Sequence, residues 1–144
     1  LKCATVITAH PKQQERAKLM PQAVHYRASL FGAVASATAY ECSDWLDSAI
    51  ETFDSNRKYL KNLLTQSLPT VGYRIPDCSY LAWLDLSGLN LGENPAQTLL
   101  EKGKLALNAG AMFGADSGNF VRLNFATSEE ILDDAVSRIA SCLS

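Results

Sequence analysis

Apolar residues recur every three or four positions between residues 44 and 67, a spacing that predicts one long amphipathic helix. Ser43 and Asp44 come directly before the pattern and are suited to cap the helix. Leu68-Pro69 ends it, because the residue before a proline disfavours helical backbone. The apolar stripe consists of Trp45, Leu46, Ala49, Ile50, Phe53, Leu60, Leu63 and Leu64.

The segment before this helix has a different pattern. Residues 3–8 are apolar and β-branched, which predicts a short buried strand. Pro11 opens a polar helical turn that stops before Pro21. Residues 23–40 are predicted to be helical, and their many small side chains indicate close packing against another element. The chain also begins with Leu1-Lys2 rather than a methionine, and its first apolar run follows directly. We therefore expect the chain to be a piece cut from a longer one. Much of the element against which residues 23–40 pack would then lie outside the chain.

After Pro69 the period of the apolar residues changes from helical to alternating. Asn94 and Pro95 mark a helix start, Gly103 a helix stop, and Thr127–Glu130 a capping box that opens a final helix. The predicted order is two strands, a helix, two strands and a helix, at 71–75, 80–86, 94–103, 104–108, 120–126 and 127–143. Strands joined by short turns and covered by helices indicate an α/β fold of the α+β layered type.

Composition limits the possible functions. Hydrophobic residues make up 47% of the 144-residue chain and charged residues 19%, which is enough for a packed core. A net charge of −2 argues against nucleic-acid or anionic-membrane binding. The four cysteines are too widely spaced for a zinc or redox motif and are expected to be reduced thiols. His10 and His25 are isolated, so no metal site is expected.

Arg122 is the residue that a plain core does not explain. Along Phe120–Phe125, alternation places Val121, Leu123 and Phe125 on one face and Arg122 on the other. A guanidinium in mid-strand matches a carboxylate with two parallel hydrogen bonds, which suggests a clamp for a substrate carboxylate. The alternative is a solvated or locally paired arginine, which is the commoner case for surface arginines.

The remaining candidates are weaker. The loop at 110–118 lacks a phosphate-binding pattern and is expected to be a flexible turn. Trp45 and Trp83 are expected in the core or at an interface. No pair of carboxylates has the spacing of an acid/base pair, so the chain contains no evident catalytic machinery.

Several segments in order resemble the class I/II aminotransferases of fold type I, which depend on pyridoxal 5'-phosphate (PLP). The resemblance is strongest to the cystathionine beta-lyase (C–S lyase) branch. The residues that carry it span nearly the whole chain: 35–40, 45–47, 56–57, 79–85, 109–114 and 120–124.

This resemblance implies that Arg122 binds the α-carboxylate of an amino-acid substrate. It also implies PLP as cofactor, bound by a lysine upstream of the stretch that resembles residues 1–7. Lys2 lies beyond that position, so no catalytic residue is assigned in this chain and its cofactor-binding residues stay unknown. We therefore expect the isolated chain to be inactive.

The resemblance implies a lyase that releases pyruvate, ammonia and a thiol by β-elimination. Two alternatives stay open: an aminotransferase of the same superfamily, and a non-catalytic regulatory or interaction module. Residues 1–42 would be the tail of the large PLP-binding domain. Residues 43–144 would be the C-terminal small domain of a fold type I PLP enzyme, including the long linking helix. The implied parent protein is a cytoplasmic homodimer acting on a small molecule, with no nucleic-acid or membrane partner.

Overall fold

The computed structural model describes residues 2–25 and 28–143 of the chain. Contacts divide the chain into two compact units, the first ending at Asp47 and the second starting at Ser48. Within the described ranges, no helix has the length and apolar character needed to cross a bilayer.

The first unit is built of short helices. They are α1 (Pro11–Lys18), α2 (Gln22–His25) and α3 (Leu30–Ala39), followed by the start of α4 (Ser43–Ser67). His10 caps α1, because its Nδ1 accepts a hydrogen bond of 3.2 Å from the backbone N–H of Lys12. Ser29 caps α3 by accepting from the N–H of Gly32, also at 3.2 Å. Local capping therefore determines where these helices start.

One prediction for this unit is wrong, and another holds only in part. Residues 3–8 form no strand, and Val6 and Ile7 are 69% and 85% exposed. A strand needs a neighbour for its backbone N–H and C=O groups, and no strand in the described part of the chain pairs with this segment. The helix predicted over 23–40 is interrupted, since Ser29 has extended backbone and begins a new helix.

The predicted close packing of α3 is confirmed at one position. Gly32 is its buried residue, while Leu30, Phe31 and Val34 are exposed. A Cβ at Gly32 would lie 2.9 Å from Cys3 Cβ and 3.1 Å from the carbonyl oxygen of Lys2. Glycine therefore allows α3 to pack directly on residues 2–3.

The second unit is an antiparallel sheet with helices. Its strands are β1 (Gly72–Tyr73), β2 (Leu81–Asp85), β3 (Asn108–Ala109) and β4 (Phe120–Asn124), in the order β1-β2-β4-β3. Helices α4, α5 (Pro95–Gly103) and α6 (Glu129–Ser141) complete it, with short 3₁₀ turns at Ser87–Leu89, Gly110–Phe113 and Ala115–Ser117. The predicted long helix and the α+β layered fold are confirmed.

The alternation predicted for β4 is confirmed. Val121, Leu123 and Phe125 are buried on the inner face of the sheet. They belong to the same hydrophobic core as the buried residues of the neighbouring strand and the flanking helices, including Leu60, Leu64, Leu84, Leu99, Leu132, Val136 and Ile139. At about 25 cal/mol per Å² of apolar surface, this burial is the main source of stability for the second unit.

Other boundaries differ from the prediction for physical reasons. Residues 104–107 are not a strand, because Lys104 adopts a left-handed conformation (φ 52°) that ends α5. Gly103 remains helical, and a Cβ there would lie 2.9 Å from Sγ of Cys142, so this glycine allows α5 and α6 to approach closely. Ser128 rather than Thr127 caps α6, accepting from the N–H of Ile131. Trp45 is 71% exposed and lies outside the core.

Candidate functional site

The open face of the sheet brings Arg122 next to aromatic residues. In the antiparallel register, Trp83 of β2 is directly opposite Arg122 of β4, and Asp85 is opposite Phe120. Directly opposed residues share a face of the sheet, so Trp83 and Arg122 both project away from the core. Arg122 is half-buried there.

The guanidinium of Arg122 has one hydrogen-bond partner and one unsatisfied donor. Its Nη2 donates to Oδ1 of Asn108 at 3.0 Å. Its Nε is buried and has no hydrogen-bond partner. A buried donor without a partner costs on the order of 1–3 kcal/mol, so this atom indicates a place for an acceptor that the described residues do not supply.

One aromatic ring contacts the guanidinium and belongs to a group of three packed rings, and we call Trp83, Phe113 and Phe120 the aromatic cluster. Cζ of Arg122 lies 4.6 Å from the ring centroid of Phe113, a cation–π contact. Trp83 stacks on Phe120 with centroids 5.5 Å apart and meets Phe113 edge-on at 5.6 Å. Phe113 covers one side of the cation without neutralising its charge.

Among the described residues, no acid forms an ion pair with Arg122. The ion pairs found within residues 2–25 and 28–143 join other groups, among them Lys18 with Glu15 and Arg138 with Asp134. Asp85 lies on the same face, but its Oδ1 accepts from the backbone N–H of Ser87 at 2.9 Å. The charge of Arg122 is therefore available to an anion from outside the described chain.

The aromatic cluster and Asn108 were not predicted as site residues. Trp83 was assigned to the core or an interface, whereas it flanks Arg122 on the open face. The alternating pattern of β2 was the one signal that could have placed Trp83 there. Asn108 and Phe113 gave no such signal, because their positions depend on strand pairing and on a loop.

The other sequence candidates have local roles or carry no chemistry that the described residues reveal. His10 serves as a helix cap, and the side chain of His25 is outside the described residues. The cysteines at 3, 42, 78 and 142 are free thiols. No group of three or more metal-ligating side chains is found in the described ranges. The loop at 110–118 contributes Phe113 rather than an anion cradle.

Two cavities of the second unit do not include Arg122. One, of about 450 Å³, is lined by residues of α4 and of the segment before β2, among them Asp54, Arg57 and Tyr80. The carboxylate of Asp54 accepts hydrogen bonds from Lys58 and Arg57, which lower its pKa. Arg57 is thus committed to an internal acid, unlike Arg122. The other cavity, of about 460 Å³, is lined by residues 86–95 and Asn119.

The residues around Arg122 fit a carboxylate better than they fit PLP. The site offers one guanidinium, one amide and three aromatic rings. A phosphate dianion is usually held by several backbone N–H groups or hydroxyls, and none of the side chains described at this site carries a hydroxyl. We therefore assign no cofactor contact to the described residues.

Comparison with known proteins places the chain in a family, although no protein-family model matches it. It is 35% identical to a cystathionine beta-lyase of Corynebacterium glutamicum, over 99% of this chain and 38% of the relative. It is 38% identical to a cystathionine beta-lyase of Bacillus subtilis, over 69% of this chain and 26% of the relative.

The fold matches solved structures of the same kind. A candidate PLP-dependent beta-cystathionase of Corynebacterium diphtheriae superposes with a TM-score of 0.86 and 30% identity, covering 95% of this chain and 37% of that one. The chain thus spans about two fifths of the length of the two Corynebacterium proteins, which it matches along nearly all of its own length. It is the counterpart of the C-terminal part of a fold type I, PLP-dependent protein of the class I/II aminotransferase family, on its cystathionine beta-lyase branch.

Proposed function

We propose that the whole protein is a PLP-dependent carbon–sulfur lyase of the cystathionine beta-lyase type, in which Arg122 binds the α-carboxylate of the substrate. The observation that supports this role is the half-buried guanidinium whose Nε is buried without a partner. A carboxylate would satisfy that donor and pair with a charge that no acid in residues 2–25 and 28–143 is found to meet.

The proposed reaction is a β-elimination. The Cα–H and Cβ–S bonds break, the thiol leaves, and hydrolysis of the remaining enamine gives pyruvate and ammonia. When bound, the cofactor supplies the electron sink for this chemistry. In this chain, Arg122 would hold the substrate by its acid group, and the aromatic cluster would limit water on one side of that contact.

Replacement of Arg122 tests the proposal directly. In the complete enzyme, Arg122→Ala is expected to cost about 2–4 kcal/mol in kcat/KM, because a charged, bidentate contact is lost. Arg122→Lys keeps the charge but loses the planar fork, so its kcat/KM should lie between the values of the unmodified enzyme and of Arg122→Ala. Arg74→Ala removes an exposed arginine and serves as the control. The absorbance of the bound cofactor should be unchanged in all three variants, and an unchanged kcat/KM in Arg122→Ala would remove Arg122 from the site.

The class of reaction needs its own assay, because a carboxylate clamp serves a lyase and an aminotransferase equally. The complete protein is incubated with cystathionine, and pyruvate release is compared with amino-group transfer to an added 2-oxo acid. The proposal requires pyruvate and ammonia in equal amounts. Transfer without pyruvate would assign the protein to the aminotransferases, and neither product would favour a non-catalytic module.

We also propose that residues 1–42 are the tail of the large PLP-binding domain and residues 43–144 the small domain. The contact boundary after Asp47 supports a division near this point. In this scheme the cofactor lysine is not part of the chain, so the isolated chain should be inactive. Mass spectrometry after incubation with PLP and borohydride should find no specific lysine adduct, and a single stoichiometric adduct would contradict the assignment.

Finally, we propose that the parent protein is a homodimer in the cytoplasm. The exposed apolar residues of α3, among them Phe31 and Val34, support a surface that packs against another element. The four free thiols support a reducing compartment. Sedimentation of the complete protein as a monomer would contradict the dimer.

A further inference from the structure

The neighbour of Arg122 on the edge strand suggests how the arginine is held. Asn108 of β3 is directly opposite Arg122 of β4 in the antiparallel register. Both side chains therefore project from the same face, and Oδ1 of Asn108 accepts from Nη2 of Arg122 at 3.0 Å.

An amide at this position orients the guanidinium without cancelling its charge. A carboxylate there would form a charge-assisted pair with Arg122 and compete with any incoming acid. Here the carbonyl of Asn108 accepts one N–H of Arg122 and carries no net charge. Phe113 acts similarly from the loop, since its ring lies 4.6 Å from Cζ and is also neutral.

The orientation has a visible consequence at the other nitrogens. With Nη2 turned toward β3, Nε is left buried and without a partner. Nε and Nη2 lie along one edge of the guanidinium, the edge by which an arginine can bind a carboxylate side-on.

We propose that Asn108 is a positioning residue, which holds Arg122 turned so that its Nε edge faces the substrate carboxylate. This inference rests on the proposed function of Arg122. It adds to that function a second residue and a preferred edge of approach.

The contact is separate from the core that stabilises the second unit. Asn108 is exposed and belongs to a strand of two residues at the edge of the sheet. Its side chain contacts Arg122, and Asn108 is not one of the residues that form the buried hydrophobic core. Changes at Asn108 should therefore alter substrate binding far more than they alter folding.

Three variants of the complete enzyme test the proposal. Asn108→Ala should raise KM about 10-fold with kcat within about 2-fold, as expected for loss of one hydrogen bond to a charged group. Asn108→Asp should raise KM about 100-fold, because the new carboxylate occupies Arg122. Asn62→Ala, on the exposed side of α4, is the matched control and should leave KM unchanged.

A second measurement does not depend on catalysis. In ¹H–¹⁵N NMR spectra, the Nε–H signal of Arg122 should shift in Asn108→Ala and Asn108→Asp but stay in place in Asn62→Ala. The melting temperature of each variant should stay close to that of the unmodified protein.

The outcomes separate this inference from the proposed function. If Arg122→Ala raises KM but both Asn108 variants bind substrate normally, Asn108 is not a positioning residue while the clamp stands. If Arg122→Ala leaves kcat/KM unchanged, the clamp itself fails. Loss of kcat with unchanged KM in Asn108→Ala would also overturn the positioning role.

Discussion

Asn56 is a buried polar residue that ties the long helix to the end of the strand carrying Arg122. It is 4% exposed, and its Nδ2 donates to the carbonyl oxygens of Phe125 at 2.9 Å and Thr127 at 2.7 Å. Both carbonyls lie just beyond β4, where the chain leaves the sheet. One side chain therefore satisfies two acceptors that water reaches poorly.

Asn56→Ala should lower the free energy of unfolding by about 2–4 kcal/mol, because it leaves these two carbonyls without a donor. Asn62→Ala on the same helix changes an exposed side chain and should cost less than about 0.5 kcal/mol. Urea denaturation of both variants measures the difference. Equal stability of the two would show that the paired carbonyls contribute nothing measurable.

Tyr73 makes stability depend on alkaline pH. Burial raises the pKa of Tyr73 to about 12 from the usual 10.0, since the charged phenolate is poorly solvated there. The pKa is higher in the folded than in the unfolded state, so the contribution is complete below pH 10 and is lost as pH rises toward 12.

We therefore expect the free energy of unfolding to fall by roughly 2–3 kcal/mol from this residue between those two pH values. Tyr73→Phe should lack that part of the decrease, while Tyr40→Phe, at an 83% exposed position, should retain it. Denaturant titrations repeated across the window provide the test. A decrease in Tyr73→Phe as large as in the unmodified protein would contradict the assignment.

At the scale of elements, the loop at 110–118 depends on Gly110. A Cβ at this position would lie 2.2 Å from the carbonyl oxygen of Ser117 and 2.6 Å from that of Phe120. The backbone of the loop closes directly on β4 at this point. That closure positions Phe113 over Arg122.

Gly110→Ala should displace the loop, lower the free energy of unfolding by about 1–3 kcal/mol and raise KM, because Phe113 would move away from Arg122. Gly118→Ala is the control, since no atom lies within 4 Å of a Cβ there. In a Trp45→Phe background, tryptophan fluorescence should change with Gly110→Ala but not with Gly118→Ala. The same response in both glycine variants would rule out the close approach as its cause.

How much of the fold and of the site could be predicted from the sequence depended on how far apart along the chain the interacting residues lie. Helix α4, the cap at Asn94 and the alternation around Arg122 were predictable, because spacing and capping are local. The strand expected at residues 3–8 was wrong because a strand requires a partner that local sequence does not reveal. The contact between Asn108 and Arg122 depends on register, so nothing in the sequence near either residue indicated it.

At the scale of the molecule, the hydrophobic core belongs to the second unit. Its buried apolar residues all lie between Leu60 and Cys142, whereas Gly32 is the buried residue among the described positions of the first unit. Few buried contacts imply a low free energy of local opening. The two units should therefore differ in protection of their amides.

Hydrogen exchange of the 144-residue chain tests this difference. Amides of β2 and β4 should be protected for much longer than those of α1 and α3. The hydrophobic core covers these two strands, whereas α1 and α3 bury few residues. Mass spectrometry of peptides from each element gives the readout. Equal protection of α3 and β4 would contradict the division.

The shortness of the outer strands has a consequence for self-association. Both β1 and β3 contain two residues, and they flank the longer β2 and β4. An incoming strand from another copy would find few free N–H and C=O groups in line, so growth into cross-β fibrils from these margins is disfavoured. Aggregation of the chain at high concentration should instead involve its exposed helical side chains. The aggregated protein should keep a helical circular-dichroism spectrum.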